Sequence, residues 1–313
     1  GLGRLADIKD IIGSICQVLG RSGDLAGKHI VVTAGGTQEP IDPVRYLSNR
    51  SSGKMGYALA EAARDRGAKV TLVTAPTSLP EPVGVDVIQV GTAQEMRQAV
   101  ENVTLRSDAL IMAAAVADYR PLKAAKDKIK KGKTGLTLEL ECTPDILGTV
   151  KGNFIKVGFA AESSNLVENA REKLKQKGLA LIVANDITAG DSGFGTDTNR
   201  VTIIDREGKI ESLPLMSKRK VADRLLDKVV GLSEETIVYC SLREEPRIGF
   251  SKGQEPLFSK RKGTLILETA IGNITVSYNP KYDEFGPRGV SKWLKWLKKN
   301  HPELKAGDKV RLQ

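Results

Sequence analysis

The chain has 313 residues, 40% of them hydrophobic, with 48 Lys and Arg against 38 Asp and Glu for a formal charge of +10. That length supports two ordinary cores, no apolar run reaches the roughly eighteen residues of a membrane span, and no charged-then-apolar leader is present, so a cytoplasmic protein without a membrane partner is expected. Cys16, Cys142 and Cys240 lie too far apart to signal a disulfide framework or a zinc site, His29 and His301 have no metal-ligand spacing, and the basic balance suits anionic ligands such as nucleotides, phosphorylated metabolites or nucleic acid.

Residues 1–24 carry a short amphipathic helix, with Ile8, Ile11, Ile12, Ile15, Val18 and Leu19 on neighbouring faces and a stop near Gly20. From residue 25 to 232, strands and helices alternate. A strand at 29–34 leads into a long polar loop, and Met55, Ala58, Leu59, Ala62 and Ala63 recur at helical spacing through a helix at 54–66. In that loop Gly35, Gly36 and Thr37 offer a tight turn with exposed amides. Ser51, Ser52 and Gly53 sit where a helix N-terminus carries unpaired donors, and Arg45, Asn49, Arg50 and Lys54 add cations and an amide. A compact domain rarely keeps so long a loop without a use for it, and this one suits an anion.

Further strands are predicted at 69–74, 86–90, 108–114, 155–160 and 180–184, and helices at 92–105, 144–150, 164–177 and 217–231. The alternation implies an α/β, Rossmann-like fold: a mostly parallel sheet covered on both faces, with ligands at the carboxyl ends of its strands. Segments 128–141 and 200–213 break the rhythm and read as hairpins, the first a protruding β arm. Residues 233–313 read as a small β-rich module of short antiparallel strands. In it Val290, Trp293, Leu294 and Leu297 mark one helical face and Trp296 lies on its flank. Its 15 Lys or Arg against 10 Asp or Glu give +5, half the total charge. We read the tryptophans as core and the lysines as a solvated face in preference to a nucleic-acid surface.

The run DPVRYLSNRSSGKMG at 42–56, with AAAVADYRP at 113–121, KIKK at 128–131, TPDI at 143–146, VGFAAES at 157–163 and AND at 184–186, resembles the phosphopantothenoylcysteine synthetase family. The resemblance covers residues 25–232 and not the last eighty or so. It makes residues 1–24 similar to the joint that connects a flavin-dependent decarboxylase to the synthetase in the bacterial bifunctional protein. It implies a homodimer built with the β arm, association with such a decarboxylase, and the substrates 4′-phosphopantothenate, L-cysteine and CTP with Mg²⁺. By resemblance, the acid attacks the α-phosphorus of CTP, pyrophosphate leaves, and the cysteine amine displaces CMP from the acyl-cytidylate. This needs a triphosphate cradle, a divalent cation and oxyanion donors.

The same resemblance assigns Asn49 to the second step and Lys128 to the nucleotide. It puts Asp118, Lys173, Lys177, Thr143, Pro144, Asp145 and Ile146 in the nucleotide pocket. The chain has Thr143 where the family often has Asn. Read from the residues, Arg45 lies one turn before Asn49 if the loop coils, and could hold the carboxylate or a phosphate. Ala113, Ala114 and Ala115 are small enough to admit a base, and Phe159 could pack on it. No metal ligands are assigned. Two other readings stand beside the ligase: a dinucleotide-binding oxidoreductase, and a nucleic-acid-binding protein acting through the basic C-terminal module. The first wants a G-x-G-x-x-G turn and an acid ending the second strand, where this chain has Thr74, Ala75 and Pro76.

Overall fold

The computed structural model describes residues 6–132, 135–162, 166–186 and 195–234, and beyond them the strands at 237–241, 247–249, 263–269, 272–278 and 309–312. The chain divides into two units, Gly1–Val230 and Gly231–Gln313. The first runs α1 (Ile8–Leu19), β1 (His29–Ala34), β2 (Gln38–Pro40), β3 (Tyr46–Ser48), α2 (Lys54–Asp65), β4 (Lys69–Thr74), β5 (Asp86–Gln89) and α3 (Ala93–Thr104). It continues with β6 (Ala109–Met112), β7 (Tyr119–Pro121), β8 (Leu140–Cys142), α4 (Ile146–Thr149), β9 (Ile155–Glu162), α5 (Leu166–Gln176) and β10 (Leu181–Asp186). Then follow β11 (Thr198–Asn199), β12 (Val201–Asp205), β13 (Ile210–Ser212), β14 (Met216–Ser217) and α6 (Lys218–Glu234).

Eight strands form one sheet in the order β13-β12-β10-β9-β6-β1-β4-β5. The six from β10 to β5 are parallel, as the alternation requires, and β12 with β13 extends the β10 edge as the expected antiparallel hairpin. Strand order reverses between β1 and β6, the doubly wound arrangement whose crevice opens at that reversal. Alternate β1 side chains serve two layers. Val31 packs in a cluster with Val73, Leu110 and Met112 of the sheet, Met96 and Val100 of α3, and Ile146 of α4. On the other face Ala34 meets α2 at Gly56, where an added Cβ would stand 2.6 Å from the Ala34 Cβ. Thr92 closes a capping box with Glu95 to start α3, and His29 is held between Thr71 and Arg106 as a structural residue.

Two expectations change. The loop after β1 is not continuous coil, because β2 and β3 pair antiparallel through Gln38↔Ser48, Glu39↔Leu47 and Pro40↔Tyr46. Three-residue strands carry no period to read, and what fixes this ribbon is a buried acid: Glu39, 2% exposed, accepts from the Ala93 amide at 2.8 Å. The β arm is also rooted differently. β8 pairs with β7, upstream, and residues 128–132 lie in the connection rather than in a strand. The observed register is Tyr119↔Cys142, Arg120↔Glu141 and Pro121↔Leu140, and in it Arg120 donates to Glu141 at 2.9 Å across β7 and β8.

In the second unit β15 (Ile237–Ser241), β16 (Arg247–Gly249), β17 (Gly263–Thr269), β18 (Gly272–Tyr278) and β19 (Lys309–Leu312) make an antiparallel sheet in the order β16-β15-β19-β17-β18. The helical face expected at Val290, Trp293, Leu294 and Leu297 lies outside the described residues.

Candidate functional site

At the strand-order reversal the tails of β1 and β6 are tied together. The Ala115 amide donates to Gly35 O at 2.8 Å and the Thr37 amide to Ala115 O at 3.3 Å. Gly35 has a φ of +78°, and a side chain there would meet Ala75 O at 2.6 Å. Gly35, Gly36 and Thr37 are buried at this seam and lie outside the lining of the cavity beside it. Their glycines make close backbone approach, not a dinucleotide fingerprint.

Beside this seam opens a cavity of about 870 Å³. One wall is Asn49, Ser51, Ser52, Gly53 and Lys54, the turn into α2. The β6 tail supplies Ala113, Ala114, Ala115 and Asp118, and the α4 turn supplies Thr143, Pro144, Asp145 and Ile146. Phe159 of β9, Lys173 of α5 and Lys177 just beyond it also line it. Gly53 starts α2 with a φ of +73°, which a side chain adopts at a cost, and it crowds Thr77.

Several of these groups are already oriented. Asn49 Nδ2 donates to Val116 O at 2.9 Å, which fixes the carboxamide and leaves its second N–H. Thr143 instead gives its hydroxyl to Ala117 O at 2.5 Å, so its side chain braces the β6 tail. Asp145 caps α4 through the Gly148 amide at 3.1 Å and pairs with Lys177 Nζ at 3.1 Å.

At the other end Lys54 Nζ holds Asp197 at 2.7 Å and Gly195 O at 3.0 Å. The hydrogen bond and charge of Lys54 keep the Asp197 carboxyl below the usual carboxylate range. Lys218 reaches Thr196 O and donates its own amide to Asp197 O at 2.9 Å. Burial, then the neighbouring Lys54, push its ammonium below the ordinary lysine range. Against one exposed carboxylate, already paired with Lys54, two cations and a helix N-terminus leave this end net positive and receptive to an anion. Among the described residues the Oδ1 atoms of Asn185 and Asn199, both on lining residues, are buried and find no hydrogen-bond partner.

Lys218, Asn199 and Asn185 were not assigned from the sequence. Asn185 stood in the AND motif, whereas Asn199 flanks the hairpin read at 200–213 and Lys218 lies at the start of the helix read at 217–231, where no motif marks them. Arg45 and Lys128 are not on the cavity. The loop around Arg45 is a ribbon tip rather than a coil, and its guanidinium binds Asp42 and Ile129 O. Among the described residues no group of three or more His, Cys, Asp or Glu could hold a metal ion. Asp118 and Asp145 are the carboxylates on the lining, which fits a cation carried in on phosphates and not one in a protein cage.

Residues 25–232 match the family model described as the DNA/pantothenate metabolism flavoprotein C-terminal domain. The chain is 47% identical over 242 residues to the coenzyme A biosynthesis bifunctional protein CoaBC of Bacillus subtilis (strain 168), covering 75% of this chain and 60% of that protein. It is 41% identical over 241 residues to a cysteine/cysteine sulfinic acid decarboxylase from an unknown prokaryotic organism, covering 74% and 67%. The solved C-terminal domain of a CoaBC superposes with a TM-score of 0.59 at 42% identity, covering 68% of this chain and 99% of that one. The chain thus spans about three fifths of the length of the Bacillus relative, and its similarity to a solved CoaBC structure is to the C-terminal domain.

Proposed function

Because the chain belongs to the family of the DNA/pantothenate metabolism flavoprotein C-terminal domain, we propose that its sheet unit is the ligase joining 4′-phosphopantothenate to L-cysteine in coenzyme A biosynthesis, with CTP as the activating nucleotide. One observation carries the reading: segments remote in sequence, 49–54, 113–118, 143–146, Phe159, Lys173 and Lys177, line a single cavity at the strand-order reversal. A carboxylate resists an amine because its carbonyl carbon is electron-rich and oxide is a poor leaving group. Transfer of a cytidylyl group from CTP expels pyrophosphate and gives the acid a leaving group. The cysteine amine then attacks the acyl carbon, and CMP departs.

The α2 turn with Lys54, and Lys177 opposite, would hold the polyphosphate, and Mg²⁺ brought with it would spread the charge of the departing pyrophosphate. Small Ala113, Ala114 and Ala115 leave room for a base against Phe159. The remaining N–H of Asn49 is aimed for the oxyanion of the second step. The chain acts as a homodimer in this reading: Val44, Tyr46, Tyr119, Leu122 and Leu140 leave large apolar surface exposed on the two ribbons and the arm, a face suited to a second copy. A flavin-dependent decarboxylase, the neighbouring activity in the reaction sequence, would consume the product.

The test is pyrophosphate release from CTP, ATP, GTP and UTP, with and without 4′-phosphopantothenate, followed by cysteine-dependent appearance of the amide. Release that needs the acid and prefers CTP supports the ligase. Carbon dioxide release in place of amide formation would replace it with a decarboxylase.

A further inference from the structure

We infer that Asp42 is the positioning residue of the KIKK segment, holding residues 125–129 against the ribbon tip through the Asp42, Arg45 and Ile129 hydrogen bonds. The Asp42 side chain is wholly buried while Arg45 remains 43% exposed. Its carboxylate accepts from the amides of Val44 at 2.8 Å, Arg45 at 2.9 Å and Ile129 at 3.1 Å, and from Arg45 Nε at 3.0 Å. Arg45 Nη2 donates both to Asp42 at 2.5 Å and to Ile129 O at 2.6 Å, and the Ala125 amide donates to Ile41 O at 2.9 Å. Residues 123–132 have no helix or strand of their own. The hydrogen bonds described for that stretch run to Ile41, Asp42 and Arg45, so its course is set by the turn at 41–45.

A buried carboxylate with this many donors is a rigid node, and a guanidinium that grips both a carboxylate and the far backbone cannot be replaced in kind by an ammonium. Arg45 thus holds the segment through both its guanidinium bonds. Lys128, which the resemblance assigns to the nucleotide, stands next to Ile129 and off the cavity lining, so loosening Asp42 releases the segment that would carry this lysine to a bound nucleotide; the functional half of this inference rests on the proposed ligase.

The experiment compares Asp42→Asn, Arg45→Lys, Lys128→Ala and the Asp42→Asn/Lys128→Ala double variant of the full chain. It reads the CTP dependence of pyrophosphate release and the hydrogen exchange of residues 125–131. Asp42→Asn should raise the CTP needed for half-maximal rate about tenfold and leave the saturated rate within about twofold. Arg45→Lys should also raise the CTP requirement, and the double variant should be no worse than Lys128→Ala, since Asp42 and Lys128 act through one segment. In Asp42→Asn the Ile129 amide should exchange faster. An unchanged CTP requirement, or effects that multiply in the double variant, overturns the inference. If the parent chain releases no pyrophosphate from any triphosphate, the ligase reading is what fails. The Ile129 amide then decides the positioning by itself, and unchanged protection sinks it.

Discussion

Asn49 owes its setting to Val116, whose carbonyl takes one of its two N–H groups. In Asn49→Asp an oxygen faces that carbonyl, and the donor proposed for the oxyanion is lost. Pyrophosphate release should persist while amide formation slows by about a hundredfold, the scale of removing one oxyanion donor. Separate assays of the two half-reactions check this, and equal loss of both would put Asn49 elsewhere. Asp42 makes a pH statement. Burial alone would raise its carboxyl, but the Arg45 guanidinium and the amides of Val44, Ile129 and Arg45 outweigh it and bring the group well below its ordinary 3.8. A carboxylate depressed in the fold adds stability that is fully present above 3.8 and is lost as the pH falls from there towards the folded value. The gap in melting temperature between the parent and Asp42→Asn should therefore hold steady near neutrality and shrink only on acidification below that point.

Elements with a full period were legible and those without were not. Six β-branched runs and the helical stretches between them announced the doubly wound sheet, and Gly53 and the serines before it fell at the start of α2 as read. The β2/β3 ribbon was invisible because its anchor, Glu39, is a carboxylate in a place usually given to apolar residues. For the same reason the cavity was half legible. Motif residues could be named, but Asn199, whose Oδ1 finds no partner among the described residues, and the buried Lys218 enter it through tertiary contacts that no local spacing encodes. The packing of α2 on β1 gives a paired prediction. Gly56→Ala forces a Cβ to 2.6 Å from the Ala34 Cβ and 2.7 Å from Thr33 O, and should cost about 1–3 kcal/mol. Gly231→Ala, in α6 with nothing within 4 Å, should instead add about 0.5–1 kcal/mol through helix propensity. Urea unfolding curves read both, and a neutral Gly56→Ala would show that α2 can slide away from the sheet.

At the scale of the whole molecule, the exposed apolar residues of the ribbons set the assembly prediction. Tyr46 is 52% and Tyr119 55% exposed. Sedimentation should find a dimer that Tyr46→Glu weakens, and a parent chain that sediments as a monomer ends the dimer proposal. The cavity has a consequence of a different sort. Its wall begins at Asn49 and ends at Lys218, so the pieces that form it come from nearly the full run of the sheet unit. Whatever settles there laces the early chain to the late chain, and the unfolded polypeptide has no equivalent grip. By mass action, a ligand at a hundred times its dissociation constant adds about 2.7 kcal/mol to the folded state. Durability would then follow metabolite supply: a cell depleted of the small molecule would hold a protein that opens more readily to proteases.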